Sequence, residues 1–368
     1  MEIDALLTQL ASKHGSDLFL STGAPPSARF DGVLTALSDQ PFKPGEVAAI
    51  ATSLMDAEQR REFERDLEMN LAISRTGVGR FRVNIFKQRN DVSLVIRNVK
   101  LDIPRFEDLK LPAVLLETVM LKQGLILIVG ATDSGKSTTL AALIDHRNRH
   151  STGHIVTIED PIEYIHRHQR SIINQREVGV DTRSFHAALK NTLRQAPDVV
   201  LIGEIHDRET MEHALTFAET GHLVLSTLHA HNANQALERI LNMFPEERRP
   251  QLLQALANNL KASVSQRLVN TSEGQRRAAV EVMIGTPTVA DLIRRNELGE
   301  LKTIMERSAD SGMQTFDDAI YQLVVEGVLG EVQALEYADS NNNLRLKLKF
   351  KSGSPIEGDA SPEEWGLV

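Results

Sequence analysis

The sequence predicts an α/β chain of two domains, a small α+β domain followed by a larger one built on a parallel sheet. Three observations carry this. The runs LILIVG, IVTIED, VVLIGE and LVLSTLH, between residues 125 and 229, are largely apolar; the first meets a glycine-rich turn and the others end in polar or charged residues. Runs apolar on both faces and separated by helical stretches argue for a parallel sheet covered on both sides. Upstream of residue 98, strands and helices mix without βαβ regularity. Between the two regions, NVKLDIPRFEDLKLP (98–112) carries two prolines and no clean period, the mark of a linker.

The elements follow in order. Residues 3–14 read as an amphipathic helix with Ile3, Leu6, Leu7, Leu10 and Ala11 on one face. DLFLSTGAPPSARFDGVLTAL reads as two short strands around a Gly-Pro turn region, followed by a helix near 44–63 and strands near 68–75, 79–87 and 92–99. After the four apolar runs, residues 232–350 read as mostly helical with a strand at 278–284. SGSPIEGDASPEEWGLV has little to bury and reads as disordered, its Trp365 an inconsequential tail residue. The expected organisation is a first domain over 1–97, a linker over 98–112, a second domain with C-terminal helices over 113–350 and a tail over 351–368.

Composition narrows the class. The chain has 368 residues, 41% of them hydrophobic and 25% charged, which is ordinary for a soluble globular protein. MEIDALLTQLASKHG lacks the basic flank and apolar centre of a signal peptide, and no run is long enough to span a bilayer. The absence of cysteine removes disulfides, thiol catalysis and cysteine-ligated zinc, and fits a cytoplasmic protein. A net charge of −9 argues against a general nucleic-acid binder.

The chemistry concentrates after the linker. GATDSGKS has the spacing of a phosphate-holding loop, and it follows a predicted strand and opens a helix, as the motif requires. Backbone N–H groups of Gly130, Ala131, Thr132, Asp133, Ser134 and Gly135 would converge on phosphate, with the helix N-terminus adding a favourable dipole. Lys136 would reach the outer phosphates of ATP, and Ser137 would hold Mg²⁺ with Thr138 beside it. Glu159, Asp160 and Glu163 lie in TIEDPIEY, and Glu204 ends VVLIGE, where Gly203 occupies the position at which a magnesium-binding strand usually carries Asp. One acid would activate the attacking water and another would fix the metal's water shell. Any single turn acid is commonly just solvated; acids at two strand ends downstream of a phosphate loop are not.

His222 and His229 bracket LVLSTL. A lone histidine is more often structural, but His229, at the carboxyl end, is placed to sense a terminal phosphate. Arg80, Arg82 and Arg97 alternate with apolar residues on strands, the ordinary pattern of a solvated face. They gain interest if this domain lies over a neighbouring subunit's nucleotide, since arginine supplied in trans stabilises transferring phosphate. Arg194, Gln195, Pro197 and Asp198, before VVLIG, are a further candidate lining.

Together these segments resemble the secretion ATPase superfamily, and within it the PilT/PilU family of type IV pilus retraction ATPases. SDLFLSTGAPPSARFDG is similar to the family's N-terminal signature and GRFRVNIFKQR to its arginine segment. TIEDPIEY is similar to its aspartate box, LIGEIHDRET to its atypical Walker B segment, GHLVLSTLH to its histidine box, and GTPTVADLIRRNELGEL to its later helical segment. IEYIHRHQ, NANQALERI and ADSNNNLRLKLKF look closer to the PilU branch. The resemblance implies a PAS-like N-terminal domain, a RecA-like P-loop ATPase domain and a helical C-terminal region. It implies a homohexamer or association with a PilT-type hexamer, peripheral at the cytoplasmic side of the inner membrane and docked on a pilus platform protein. It assigns water activation and metal organisation to Glu159 and Glu163, the Walker B role to Glu204 and the γ-phosphate contact to His229. Two departures stand out: His206 where arginine is usual, replacing a fixed charge by one that depends on pH, and Asp133 where glycine is usual. They raise the alternative of a weakly or non-catalytic ring subunit that couples a partner motor to the platform. A DNA-translocating motor rests only on a shared core fold and is disfavoured by the acidic balance.

Asp133 keeps its N–H, and Asp is among the residues that tolerate positive φ. Its cost is electrostatic: a carboxylate about 6 Å from phosphate costs roughly 1 kcal/mol at an effective dielectric near 40. Asp133→Gly is expected to bind ATP about fivefold more tightly, mostly through slower release. Equilibrium titration checks this, and unchanged or weaker affinity contradicts it.

Overall fold

The computed structural model describes residues 3–99 and 102–352. The described residues form two compact units; the first comprises those up to 103 with 159–167 and 175–188, and the second comprises 104–158, 168–174 and those from 189 onward.

The first unit begins with α1 (Ile3–Ser12), β1 (Asp17–Ser21), β2 (Ser27–Phe30) and β3 (Val33–Ala36). Three strands thus stand where two were expected. Asp31 and Gly32 both take positive φ, 47° and 82°, the pair a tight two-residue hairpin demands. The helix expected near 44–63 is two helices, α2 (Glu46–Leu54) and α3 (Ala57–Asp66). Met55 is extended, and Asp56 caps α3 by accepting from the N–H groups of Glu58 and Gln59, which restarts the helix on a new axis. Then come β4 (Glu68–Arg75), β5 (Gly79–Gln88) and β6 (Asp91–Val99), within a residue of expectation. The antiparallel sheet runs β3-β2-β1-β6-β5-β4. Leu6, Leu7 and Leu10 of α1 join Phe81, Val83 and Ile85 of β5 in its core.

The second unit contains α4 (Val114–Val119), β7 (Gly124–Val129), α5 (Lys136–His150) and β8 (Gly153–Glu159). They are followed by β9 (Ser171–Glu177), α6 (Phe185–Thr192), β10 (Val199–Ile202), α7 (Arg208–Glu219), β11 (Leu223–Leu228), α8 (Ala233–Asn242) and α9 (Arg249–Asn259); β8, β9 and α6 each lie partly in the first unit. The sheet order is β13-β12-β7-β11-β10-β8-β9, with β12 (Leu260–Asn270) and β13 (Arg276–Ile284) closing one edge. Strands β8, β10, β11, β7 and β12 are parallel, and β13 returns antiparallel to β12. The parallel sheet and the strand near 278–284 are as expected. β12 corrects the helical reading of its segment, and β9 stands in a stretch for which no element was expected. LKASVSQRLVN mixes polar with apolar residues, yet Ser263, Ser265 and Gln266 are all buried, so the polar pattern does not mark solvent exposure there.

The C-terminal region packs α10 (Pro287–Arg294), α11 (Leu301–Arg307), α12 (Phe316–Val325), α13 (Glu331–Tyr337) and α14 (Asn341–Ser352). Asp317, 1% exposed, accepts from Lys302 Nζ at 3.1 Å and from the N–H of Asp339 at 2.8 Å. Leu344 and Leu348 of α14 enter the same core as Phe316 and Ile320, and Lys347 pairs with Asp318. The helix runs through Ser352, so it takes in the first residues of the expected tail; the rest of that segment, with Trp365, lies outside the described residues.

One buried acid ties the β12–β13 hairpin to α8. Glu281 of β13 accepts from the N–H of Ala233, first residue of α8, at 2.8 Å and from Ser265 Oγ at 3.1 Å. Desolvation pushes its carboxyl up to about 7, with Asp339 adding to the rise while the two hydrogen bonds and Lys302 oppose it. The folded state thus keeps a proton that the unfolded chain releases. This stabilisation is complete below the unfolded value of 4.5 and is lost as pH rises through about 7. Across that window wild type is expected to lose on the order of 3 kcal/mol relative to Glu281→Gln. Denaturant titrations of both proteins at pH 5, 6, 7 and 8 measure this difference, and a pH-independent difference contradicts it.

Candidate functional site at the carboxyl edge of the parallel sheet

β7 is buried along its whole length and lies between β11 and β12. Val129 pairs with Leu228 on one side and Ser265 on the other. Gly130, His229 and Gln266, each the next residue in its chain segment, therefore emerge at one level. The Gly130 N–H donates to Leu228 O at 3.3 Å.

From Gly130 the chain turns into α5. Asp133 has φ 61° and Gly135 φ 88°, so the Asp133 position does need left-handed backbone, and aspartate supplies it. Ala131, Thr132 and Asp133 are exposed, whereas Ser134 and Lys136 are buried. The Lys136 ammonium donates to the carbonyls of Gly130 at 2.9 Å and Ala131 at 2.7 Å, which keeps it inside the curl of the loop. Ser134 Oγ is buried with no hydrogen-bond partner among the described residues. Ser137 and Thr138 are half-buried in the first turn of α5, which contains no acid, so the positive end of the helix dipole is not offset there. A Cβ on Gly130 would lie 2.6 Å from Gln266 O and 2.4 Å from Ser134 Oγ, and one on Gly135 would lie 2.7 Å from Gln266 Nε2. The loop is packed too closely for side chains at either glycine.

Glu204 follows the end of β10 and is fixed through its neighbours. Gly203 N–H donates to Ile158 O at 2.7 Å, and Ile205 N–H to Thr227 O at 3.0 Å. The hydroxyls of Ser226 and Thr227 donate to the carbonyls of Ile202 and Gly203, each at 2.7 Å. Glu204 Oε1 lies 2.7 Å from His229 Nε2 and 3.3 Å from His206 Nδ1. His206, at the position where arginine is usual, thus still sets a nitrogen against the same carboxylate oxygen. The next residue, Asp207, caps α7; the Thr210 N–H it accepts holds its carboxyl below the usual range. A cavity of about 410 Å³ bordered by Ala131, His229, His231 and Arg239 opens beside this group. Another of about 630 Å³ lies beside the first turn of α5, lined by Gly135, Thr138, Gln266, Leu268, Arg276 and Arg277.

His222 and Arg194 lie at the other, amino edge of the sheet. The ring of His222 bonds Phe217 O and Thr220 Oγ1, both at 3.1 Å, and so closes the end of α7. Arg194 is exposed in a short turn before β10. Neither is brought to the level of Gly130, Glu204 and His229.

Glu159, Asp160 and Glu163 belong to the first unit. Glu159 is half-buried and accepts from Gln175 Nε2 at 3.2 Å, while Asp160 and Glu163 are exposed. Arg80 and Arg82 alternate on β5 with the buried Phe81, Val83 and Ile85, and Arg82 pairs in register with Arg97 of β6. Each arginine meets an acid of its own unit. Arg82 donates to the buried Glu177 at 2.9 Å, Arg97 to Asp17 at 2.8 Å, and Arg80 lies 3.8 Å from Asp181. Arg82, Arg97, Asn70 and Asn84 border a cavity of about 280 Å³. Glu177, Thr227 and Gln266 are not singled out by sequence reasoning; each acts through a partner distant in the chain.

Residues 2–297 match the family model described as "Type II/IV secretion system protein". The chain is 54% identical to the type IV pilus ATPase PilU of Pseudomonas aeruginosa, over 97% of this chain and 94% of that protein. It is 39% identical to the pilus retraction ATPase PilT of the same bacterium, over 93% of this chain and 100% of that protein. A crystal structure of the pilus retraction motor PilT with bound ADP superimposes with a TM-score of 0.86 at 39% identity, covering 93% of this chain and 98% of the other.

Proposed function

The chain belongs to the PilT/PilU family of type II/IV secretion ATPases, and from that premise we propose that it is an ATP-hydrolysing motor of type IV pilus retraction in twitching motility. The observation that carries this is the convergence of a glycine-tight phosphate loop, Glu204 and His229 at one sheet edge. The greater identity to PilU than to PilT supports a PilU-type role beside a PilT-type motor.

The loop fits a nucleotide. It offers an unpartnered buried hydroxyl on Ser134, backbone close to both glycines, a buried ammonium and an uncompensated helix N-terminus. On binding, Lys136 exchanges loop carbonyls for the outer phosphate oxygens. Ser137, and Glu204 partly through water, would hold Mg²⁺, which supplies charge neutralisation on those phosphates. His229, already hydrogen-bonded to Glu204, reports the terminal phosphate to that acid. The family resemblance gives Glu159 and Glu163 the roles of activating water and organising the metal, which they would fill with Asp160 next in the chain to Glu159. Arg80, Arg82 and Arg97 serve a neighbouring subunit's phosphates in a hexameric ring. Leaving Asp181, which is exposed, costs little, whereas leaving the buried Glu177 and Asp17 costs more. No helix among the described residues is long and apolar enough to cross a membrane, which fits docking on the cytoplasmic side of a platform protein in the inner membrane.

A second reading, a weakly or non-catalytic ring subunit that couples a partner motor to the platform, is favoured by Asp133 in the loop and His206 against Glu204. Steady-state ATP hydrolysis separates the two. Wild type is expected to exceed Lys136→Ala and Glu204→Ala by at least about a hundredfold, the range for loss of a principal electrostatic group. If wild type is no faster than the two variants, the motor reading fails and the coupling reading stands.

A further inference from the structure

Gln266 touches the phosphate loop at both ends, although it is 136 residues after Gly130 in a segment with no motif. It lies on β12, 3% exposed. Its backbone carbonyl oxygen sits 2.6 Å from the place of a Cβ on Gly130, and its Nε2 sits 2.7 Å from the place of a Cβ on Gly135. Its Oε1 accepts from Thr139 Oγ1 at 2.7 Å, and Thr139, 2% exposed, belongs to the first turn of α5. The residue before it is equally constrained: Ser265 pairs with Val129 and donates to Glu281.

From these contacts we infer that Gln266 is a positioning residue for the phosphate loop. Its carbonyl limits how far Gly130 can sink toward β12. Its amide group fills the space beside Gly135 and is held at one rotamer by Thr139. The loop's backbone N–H groups are thereby set at one height and spacing before nucleotide arrives, so binding does not have to order them. Gln suits the position because a single amide both accepts from Thr139 and turns a donor toward the loop and the cavity beside it. Ser265, through Glu281 and Ala233, ties the same strand to the start of α8, four residues after His229. The strand that sets the loop is therefore also the strand that anchors the turn after the sensor histidine.

The inference rests on the reading of residues 130–138 as the nucleotide site. Calorimetric titration of ADP and steady-state kinetics test it in the full-length protein, with Gln266→Leu, Thr139→Val, the double variant and Lys136→Ala. Gln266→Leu keeps the volume and removes the amide. It is expected to raise the ADP Kd and the KM for ATP about tenfold while kcat at saturating ATP stays within about twofold. Thr139→Val is expected to reproduce most of that loss, and the double variant to bind no more weakly than Gln266→Leu alone, because both remove one clamp. A residue needed only for packing would lower the unfolding temperature without shifting Kd or KM. Affinities within twofold of wild type in Gln266→Leu overturn the inference, as does a double variant whose losses multiply. Where Gln266→Leu does not fold, Thr139→Val decides: a wild-type Kd overturns the inference and a raised one with unchanged kcat supports it. Wild-type ADP affinity in Lys136→Ala would instead remove the nucleotide site from this loop, and the inference would fall with it.

Discussion

The position of β7 between β11 and β12, parallel to both, is the constraint on which the candidate site depends. Parallel neighbours in register end together, so Val129, Leu228 and Ser265 deliver Gly130, His229 and Gln266 to one level. A strand carries no direct information about its neighbours' ends; the shared hydrogen-bond ladder does. β10 adds Glu204 in the same way, one strand further on. The crevice beyond the carboxyl ends of such a sheet is where ligands of open α/β folds bind, and here each main participant of the second unit is set there by backbone pairing rather than by a flexible loop.

That arrangement requires polar groups inside the sheet, and those that flank Glu204 and His229 have partners that offset their desolvation. Ser226 and Thr227 return their hydroxyls to carbonyls of the adjacent strand end. Ser265 and the Ala233 N–H both serve Glu281. Such groups cost several kcal/mol when left unpaired and little when paired. The consequence is local rigidity at the residues flanking Glu204 and His229, with the acid–histidine contact left partly accessible. Glu281 is the exception in charge: its surroundings favour the protonated acid up to about pH 7.

Local signals were legible in the sequence. The glycine-rich loop of the candidate site shows itself because its glycines, lysine and serine stand close together in the chain, and Glu204 and His229 because they follow apolar runs. The left-handed backbone of Asp133 was foreseeable from its place in a glycine-rich turn. Partners set by tertiary pairing were not legible. Nothing near Gln266 announces that a glutamine in LKASVSQRLVN is buried against two glycines of a loop far upstream, and its polar neighbours hide the strand itself. Glu177 is similar: its burial against Arg82 depends on a strand, β9, whose sequence SIINQRE has too few apolar residues to announce it. The Asp31–Gly32 hairpin was readable in principle from its Asp-Gly pair, but the Gly and two prolines just upstream drew the turn elsewhere.

The most direct test is amide hydrogen exchange of the full-length protein with and without ADP. If the carboxyl edge is the nucleotide site, protection increases in residues 130–139, 203–205 and 229–233 and is unchanged at the amino edge around 193–198 and 221–223. Protection at the amino edge, or none at the carboxyl edge under conditions of saturating ADP, would contradict the account.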